Sequence, residues 1–330
     1  MKTILFLVLL ICSCTFIFAQ SRNKATQEKL PGNQNFAVVY DNDDHRDVYT
    51  DEYLMALASI GEIELKGFIT TYSPSEYGKF VEGRSQIVEL ARKSGLQNLP
   101  EIWPGTNKKL VRPVSNKIED TVPLKIEGSD LIAELAMQCS PEKPLVIISG
   151  GQLTTIANAY LVNPLIAENV QVTGVFGAEK MDYNAGLDAW AWAIILSKFR
   201  VFAIPIGPPG NRGKVYMNAP AVPKARIKNE LDLNIPIFRW MYGKKHPSNN
   251  LPDEHDFDGQ PAILITQPEY VTQWKKLQCL EINEKGYPVL EENELGKIWQ
   301  AGDASQEMAT SEFWRVMDLL QTKLKNNRQK

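Results

Sequence analysis

Residues Phe36 to Glu52 read FAVVYDNDDHRDVYTDE, an apolar run, Phe36–Tyr40, that breaks straight into acid. Asp41, Asp43, Asp44, Asp47 and Asp51 fall within eleven residues. A short apolar run of this kind suits a strand buried on both faces of a parallel sheet. In open α/β sheets, ligands bind beyond the carboxyl ends of such strands. Crowded carboxylates repel one another, so a folded chain keeps them together when positive charge sits among them. A hard divalent cation, which takes oxygen ligands, is the natural candidate.

Outward from this stretch, strand and helix patterns alternate. Glu52–Ser59 reads as a helix ended by Gly61, Ile63–Thr70 as a strand, and Gly78–Arg92 as a helix with Ile87, Leu90 and Ala91 on one face. Leu99–Gly105 reads as a short strand and turn, and Arg112–Gly128 as an irregular polar segment. Asp130–Gln138 reads as a helix capped by Ser129 or Asp130. Pro144–Ser149 is a strong strand running into Gly150-Gly151 and a helix over Thr154–Leu161. Val170–Phe176 and Arg200–Ile206 are strands around a helix at Asp188–Lys198. Gly207–Pro223 and Lys244–Asp253 read as loops, Arg226–Tyr242 and Ser311–Lys325 as helices, and Pro261–Thr266 as an apolar element. The alternation predicts an α/β fold, a mainly parallel central sheet with helices on both faces. No internal repeat or interdomain linker stands out, so residues 20–330 read as a single domain.

The chain has 330 residues, 44% hydrophobic and 23% charged, an ordinary globular balance. Its net charge of -3 argues against nucleic acid or an anionic membrane as partner. Met1–Ala19 has the form of a signal peptide: Lys2, an apolar middle at Ile4–Ile11, and a cleavage point near Phe18-Ala19-Gln20. Export to the periplasm or outside the cell is therefore expected, with no membrane association of the mature form. Cys12 and Cys14 leave with the leader, although Ile11-Cys12-Ser13-Cys14 loosely resembles an acylation site. Cys139 and Cys279 remain, either as a disulfide or as two buried thiols. With His45, His246 and His255 as the only histidines, histidine-rich metal chemistry is excluded.

Five segments in order resemble the inosine-uridine preferring nucleoside hydrolases, which are calcium-dependent. VVYDND (residues 38–43) resembles the family's first strand and Asp-x-Asp turn, and TDEYLMALASIGEIELKGFITT (50–71) its next helix and strand. PGTNKKLVRP, LVIISGGQLTTIANAYLVNPLIAENV and MDYNAGLDAWAWA are similar to its glycine turn, its Gly-Gly-Leu-Thr helix start and its Asn–Asp helix entry. The resemblance implies a Ca2+ ion held by Asp43, Asp51, the Ser149 carbonyl and a late aspartate. It implies Asp182 and Asn184 on the ribose hydroxyls, Asp41 as a supporting carboxylate, Asp43 as catalytic base, and a nucleoside as small-molecule partner. It also permits a homo-oligomer. From residue type alone, Asp182 and Asn184 suit a helix-capping turn.

The departures from the family are specific. Thr50 stands where its acidic loop has the first of two adjacent aspartates; a hydroxyl can bond a sugar but is a poor base. His45-Arg46 replace its glycine, and Asp44 or Asp47 could supply the missing carboxylate. For the last metal aspartate, Asp256 matches by letters, next to His255. Asp258 matches by its distance to Pro268 and is the favoured candidate, because two extra residues would turn a helix face by about 200°; Phe257 then stands at the histidine position. Trp190 and Trp192 read as core, whereas Trp240 and Tyr242 suit contact with a base. The expectation is hydrolysis of a ribonucleoside N-glycosidic bond by calcium-bound water. The rivals are a ribose- or nucleoside-binding protein of the same fold, a hydrolase of another ribosyl compound, and a structural protein that keeps only the fold.

Overall fold

The computed structural model describes residues 36–43, 49–71, 77–208, 211–244 and 254–328. Residues 1–35, which include the expected signal peptide, and Asp44, His45, Arg46, Asp47 and His246 lie outside the described residues. Nine strands form one sheet: β1 (Phe36–Asn42), β2 (Ile63–Thr70), β3 (Glu101–Pro104), β4 (Leu145–Ser149), β5 (Val170–Gly174), β6 (Arg200–Ala203), β7 (Val271–Ile282), β8 (Pro288–Glu292) and β9 (Ile298–Ala304). Their order is β3-β2-β1-β4-β5-β6-β9-β7-β8. The run from β3 to β9 is parallel, and β7 pairs antiparallel with both β9 and β8.

The helices are α1 (Thr50–Ile60), α2 (Tyr77–Ser94), α3 (Glu127–Ala136), α4 (Thr154–Val162), α5 (Tyr183–Leu187), α6 (Ala189–Lys198), α7 (Lys214–Met217), α8 (Lys224–Glu230), α9 (Pro236–Gly243), α10 (Gln260–Thr266) and α11 (Gln306–Arg328). They cover both faces of the sheet. Successive side chains of a strand point to opposite faces, and two cores follow from that alternation. Val38, Tyr40, Val146 and Ile148 join one core with α1 and α11. Val39, Leu145 and Ile147 join the other with α4 and α6. Trp190 and Trp192 are buried in this second core, where their indole N–H groups donate to Thr121 Oγ1 (3.0 Å) and the Gly177 carbonyl (2.8 Å). Cys139 and Cys279 pack against the same core as unpaired thiols.

Several expected boundaries move for identifiable reasons. The helix expected over Arg226–Tyr242 is two helices, α8 and α9, because Leu231 is extended and Pro236 opens a new first turn. The helix expected at Asp130 begins at Glu127, and neither Ser129 nor Asp130 caps it: Ser129 Oγ donates instead to the Thr155 carbonyl at 2.7 Å. The loop over Gly207–Pro223 contains α7. Gly61 ends α1 with φ +91°, a left-handed conformation that a side chain would disfavour.

The parallel register aligns the strand ends. Asp41 lies beside Ile69 and Ser149, Ser149 beside Gly174, and Gly174 beside Ala203. The segments leaving β1, β2, β4, β5 and β6 therefore emerge along one edge. Helix α1 is held over that edge by α11, where the buried Phe313 ring stacks on Tyr53 at 5.5 Å. Phe313→Ala is expected to cost about 3–5 kcal/mol of stability, read from the urea midpoint at unchanged slope. A loss below about 1 kcal/mol would show that this contact does not hold α1 in place.

Candidate functional site

Three buried or half-buried carboxylates line this edge. Asp41 is fully buried at the end of β1, where Thr71 Oγ1 donates to its Oδ1 at 2.6 Å and its Oδ2 has no partner. Burial raises its pKa to about 7, against the opposing pull of the Thr71 bond and the Arg84 charge. Thr71 continues through Thr155 Oγ1 (3.1 Å) to the Thr106 amide (3.2 Å), tying the ends of β1 and β2 to the start of α4. Asp43 is half-buried just past β1. Its amide donates to Asn42 Oδ1 at 2.7 Å, and its Cβ and Cγ lie where a Gly151 side chain would begin. That close approach requires glycine in the Ser149-Gly150-Gly151 turn.

The third carboxylate is Asp256, wholly buried in the turn before α10. Thr50 Oγ1 donates to its Oδ1 at 2.8 Å and the Tyr49 amide at 3.3 Å, while its Oδ2 has no partner. Burial raises its pKa to about 7, opposed by those two bonds and by Lys244. Asp258, the residue selected by spacing, is half-buried two positions on. The extra residues are taken up by the turn, since α10 starts only at Gln260, and no helix face has to rotate. Phe257 is buried and stacks on Tyr216 at 4.8 Å. His255 stands edge-on to Phe257, with Nδ1 buried and unpartnered, and burial lowers its pKa below 6.5.

Asp51 lies on the first turn of α1, and both of its oxygens are bound by Arg84. Nε donates to Oδ2 at 3.0 Å and Nη2 to Oδ1 at 3.1 Å. Arg84 is itself 0% exposed, and its Nη1 donates to the Ile69 carbonyl and Thr70 Oγ1, each at 3.0 Å. Next to it, buried Glu52 pairs with Lys244, whose Nζ is 3.1 Å from both carboxylate oxygens; burial raises the Glu52 pKa despite this partner. Neither cation was found by sequence reasoning. The signal for Arg84 was present: it shares the α2 stripe with Ile87, Val88 and Ala91, all buried. An arginine on an apolar helix face needs a buried partner.

The remaining candidates are engaged by main chain. Asp182 caps α5, with Oδ1 accepting from the Ala185 amide (3.4 Å) and Oδ2 from the Ile206 amide (2.9 Å); burial raises its pKa. Asn184 Nδ2 donates to the Val175 carbonyl at 2.8 Å and the Gly150 carbonyl at 3.4 Å. Asp188, which caps α6, accepts from Thr154 Oγ1 at 2.6 Å and the Leu110 amide at 2.8 Å. The Ser149 carbonyl accepts the Val175 amide at 3.1 Å, one residue past the end of β5. Trp240 and Tyr242 are partly exposed on α9.

The donor set implied for calcium does not fit as placed. Asp51 gives both oxygens to a guanidinium, and the Ser149 carbonyl faces β5. Among the described residues, no group of three or more His, Cys, Asp or Glu side chains is arranged to hold a metal ion.

No family model matches the chain, and no curated protein matches it significantly in sequence. Solved structures do match. A plant nucleoside hydrolase superposes with TM-score 0.57 at 16% identity, covering 88% of this chain and 99% of that one. An inosine-uridine preferring nucleoside hydrolase from Bacillus anthracis gives 0.59 at 14%, covering 86% and 99%. This chain has the nucleoside hydrolase fold. An effector protein also superposes, with TM-score 0.59 at 12% identity over 92% of this chain and 98% of that one. Identities this low establish the fold of the nucleoside hydrolase-like chain and leave its chemistry to its own residues.

The raised pKa of Asp256 carries a pH signature. An ordinary aspartate titrates near 3.8, and folded Asp256 near 7. Between those values the folded state keeps a proton that the unfolded chain has released. The stability from that proton is complete below the lower value and lost as pH rises through the upper one. Relative to wild type, Asp256→Asn is expected to gain stability as pH rises from about 4 to about 7, measured by urea unfolding in chelator. A pH-independent difference would mean that Asp256 is ionised throughout.

Proposed function

We propose that this chain hydrolyses the N-glycosidic bond of a ribonucleoside, releasing the base and ribose. The observation that carries this is Asp43. It is a half-buried carboxylate against Gly151, at the strand edge where open α/β folds bind ligands, two residues past buried Asp41; Asp256 is bonded to Thr50 at the start of α1. Asp43 takes a proton from water as the water oxygen bonds to C1′. The C1′–N bond breaks, its electron pair leaves with the base, and the base nitrogen takes a proton from solvent, to which Asp43 returns the one it took. Positive charge develops on the ribosyl group in between, and the carboxylates of a dry site stabilise it without forming a covalent intermediate. Asp182 and Asn184 hold the β5 and β6 loops that frame the sugar, and Trp240 and Tyr242 offer faces to a base. No step passes through calcium, because Asp51 and the Ser149 carbonyl are engaged elsewhere. The test is ribose release from a panel of purine and pyrimidine nucleosides. Asp43→Asn should lower kcat by about 10²–10⁴-fold while the fold is kept; full activity in that variant would remove Asp43 as base.

One observation favours a second reading. Thr50 carries no charge and is committed to Asp256, which leaves fewer ionised groups than a hydrolase of this fold would be expected to use. A nucleoside-binding protein would show tight binding in calorimetry with no ribose released. The Met1–Ala19 leader supports export of either form. N-terminal sequencing of the protein from its producing cell should then begin near Gln20, and a chain that retains Met1 would refute this.

A further inference from the structure

We propose that Arg84 is a built-in replacement for a divalent cation at Asp51, so that Asp51 is a positioning residue and the site needs no calcium. This deepens the hydrolase reading above, but it rests on geometry that does not depend on the reaction. A bound cation would require carboxylate oxygens turned toward the ligand crevice. Here the guanidinium takes both Asp51 oxygens in a two-point fork, at 3.0 and 3.1 Å. That planar arrangement is the strongest a carboxylate makes with a side chain, and it is always charged.

Its remaining surroundings fix the arginine on Asp51. Nη1 bonds the Ile69 carbonyl and Thr70 Oγ1 at the end of β2. The guanidinium carbon lies 5.5 Å from the Tyr40 ring centroid and 5.1 Å from that of Phe68. Two aromatic rings and two main-strand oxygens thus enclose a cation with no exposed surface. A divalent ion sharing the Asp51 oxygens would sit within a few ångströms of this fixed charge, where water cannot screen the repulsion. Releasing Asp51 to the ion would instead strand a buried guanidinium. Arg84 also answers the repulsion that first called for a cation, because its guanidinium pairs with Asp51 at the edge where the other carboxylates gather. The other expected ligand, the Ser149 carbonyl, already accepts the Val175 amide just past β5.

The test uses calcium alone and reads binding, not turnover. Full-length protein, freed of divalent ions with chelator, is titrated with calcium chloride by calorimetry, and its thermal midpoint is measured with and without calcium. Wild type is expected to show no saturable binding at the site and a midpoint shift below about 1 °C, since a ligand stabilises only what it binds. Arg84→Gln, which releases Asp51, should unfold at lower temperature, show saturable calcium binding that wild type lacks, and recover its midpoint when calcium is added. Saturable calcium binding by wild type that disappears in Asp43→Asn would overturn the proposal. That arm holds even where Arg84→Gln does not fold, because Asp43 is half-exposed and its replacement leaves the core intact. An Arg84→Gln protein that folds and gains no calcium affinity would overturn it too. Failure of ribose release under every ionic condition would count against the hydrolase reading and leave this one standing.

Discussion

The Arg84–Asp51 pair lies at the seam where α1, α2 and the end of β2 meet, and the ligand edge of the sheet is organised around it. Asp51 fixes the first turn of α1; that turn carries Thr50, and Thr50 holds Asp256 in the turn before α10. On its other side, Arg84 binds the last residues of β2, next to the Thr71 hydroxyl that holds Asp41. One guanidinium thus links three segments far apart in sequence. Because the pair is buried, removing either partner would leave a lone charge in a dry environment, and the geometry tolerates few alternatives.

Around that seam, buried carboxylates divide into two kinds. Asp51 and Glu52 face cations, Arg84 and Lys244, whereas Asp41 and Asp256 face hydroxyls and amides and each keeps one oxygen unpartnered. The second kind holds its proton well above the usual aspartate range. A site assembled this way sets cation-paired carboxylates beside carboxyl groups that keep a proton toward neutrality, the mixture that acid–base chemistry uses.

Much of the fold was legible because its strands are purely apolar and its breaks are marked by glycine. β1, β2 and β4 read almost to the residue, and the alternation of elements gave the parallel sheet. The antiparallel β7–β8–β9 segment was not read, since its strands mix lysine, glutamate and tryptophan at half-exposed positions and show no clean period. In the site, Asp41, Asp43 and Asp51 were visible as a run of acid after a strand. The partners of that cluster were not. Lys244 looks like a surface charge in sequence, and although the apolar stripe of α2 marks Arg84 as buried, only tertiary packing shows which carboxylate it meets. The choice between Asp256 and Asp258 turned on whether the intervening residues were helical, a boundary that periodicity cannot resolve to two positions.

The outer strands of the sheet carry their own consequence. At one border β3 has only four residues and ends in Pro104; at the other β8 opens with Pro288 and closes with exposed Glu291 and Glu292. A second molecule trying to extend the sheet would find a missing amide donor, a very short ladder or a pair of negative charges. Strand addition by a second copy is thereby disfavoured, and both borders are protected against the open-ended stacking that leads to fibres.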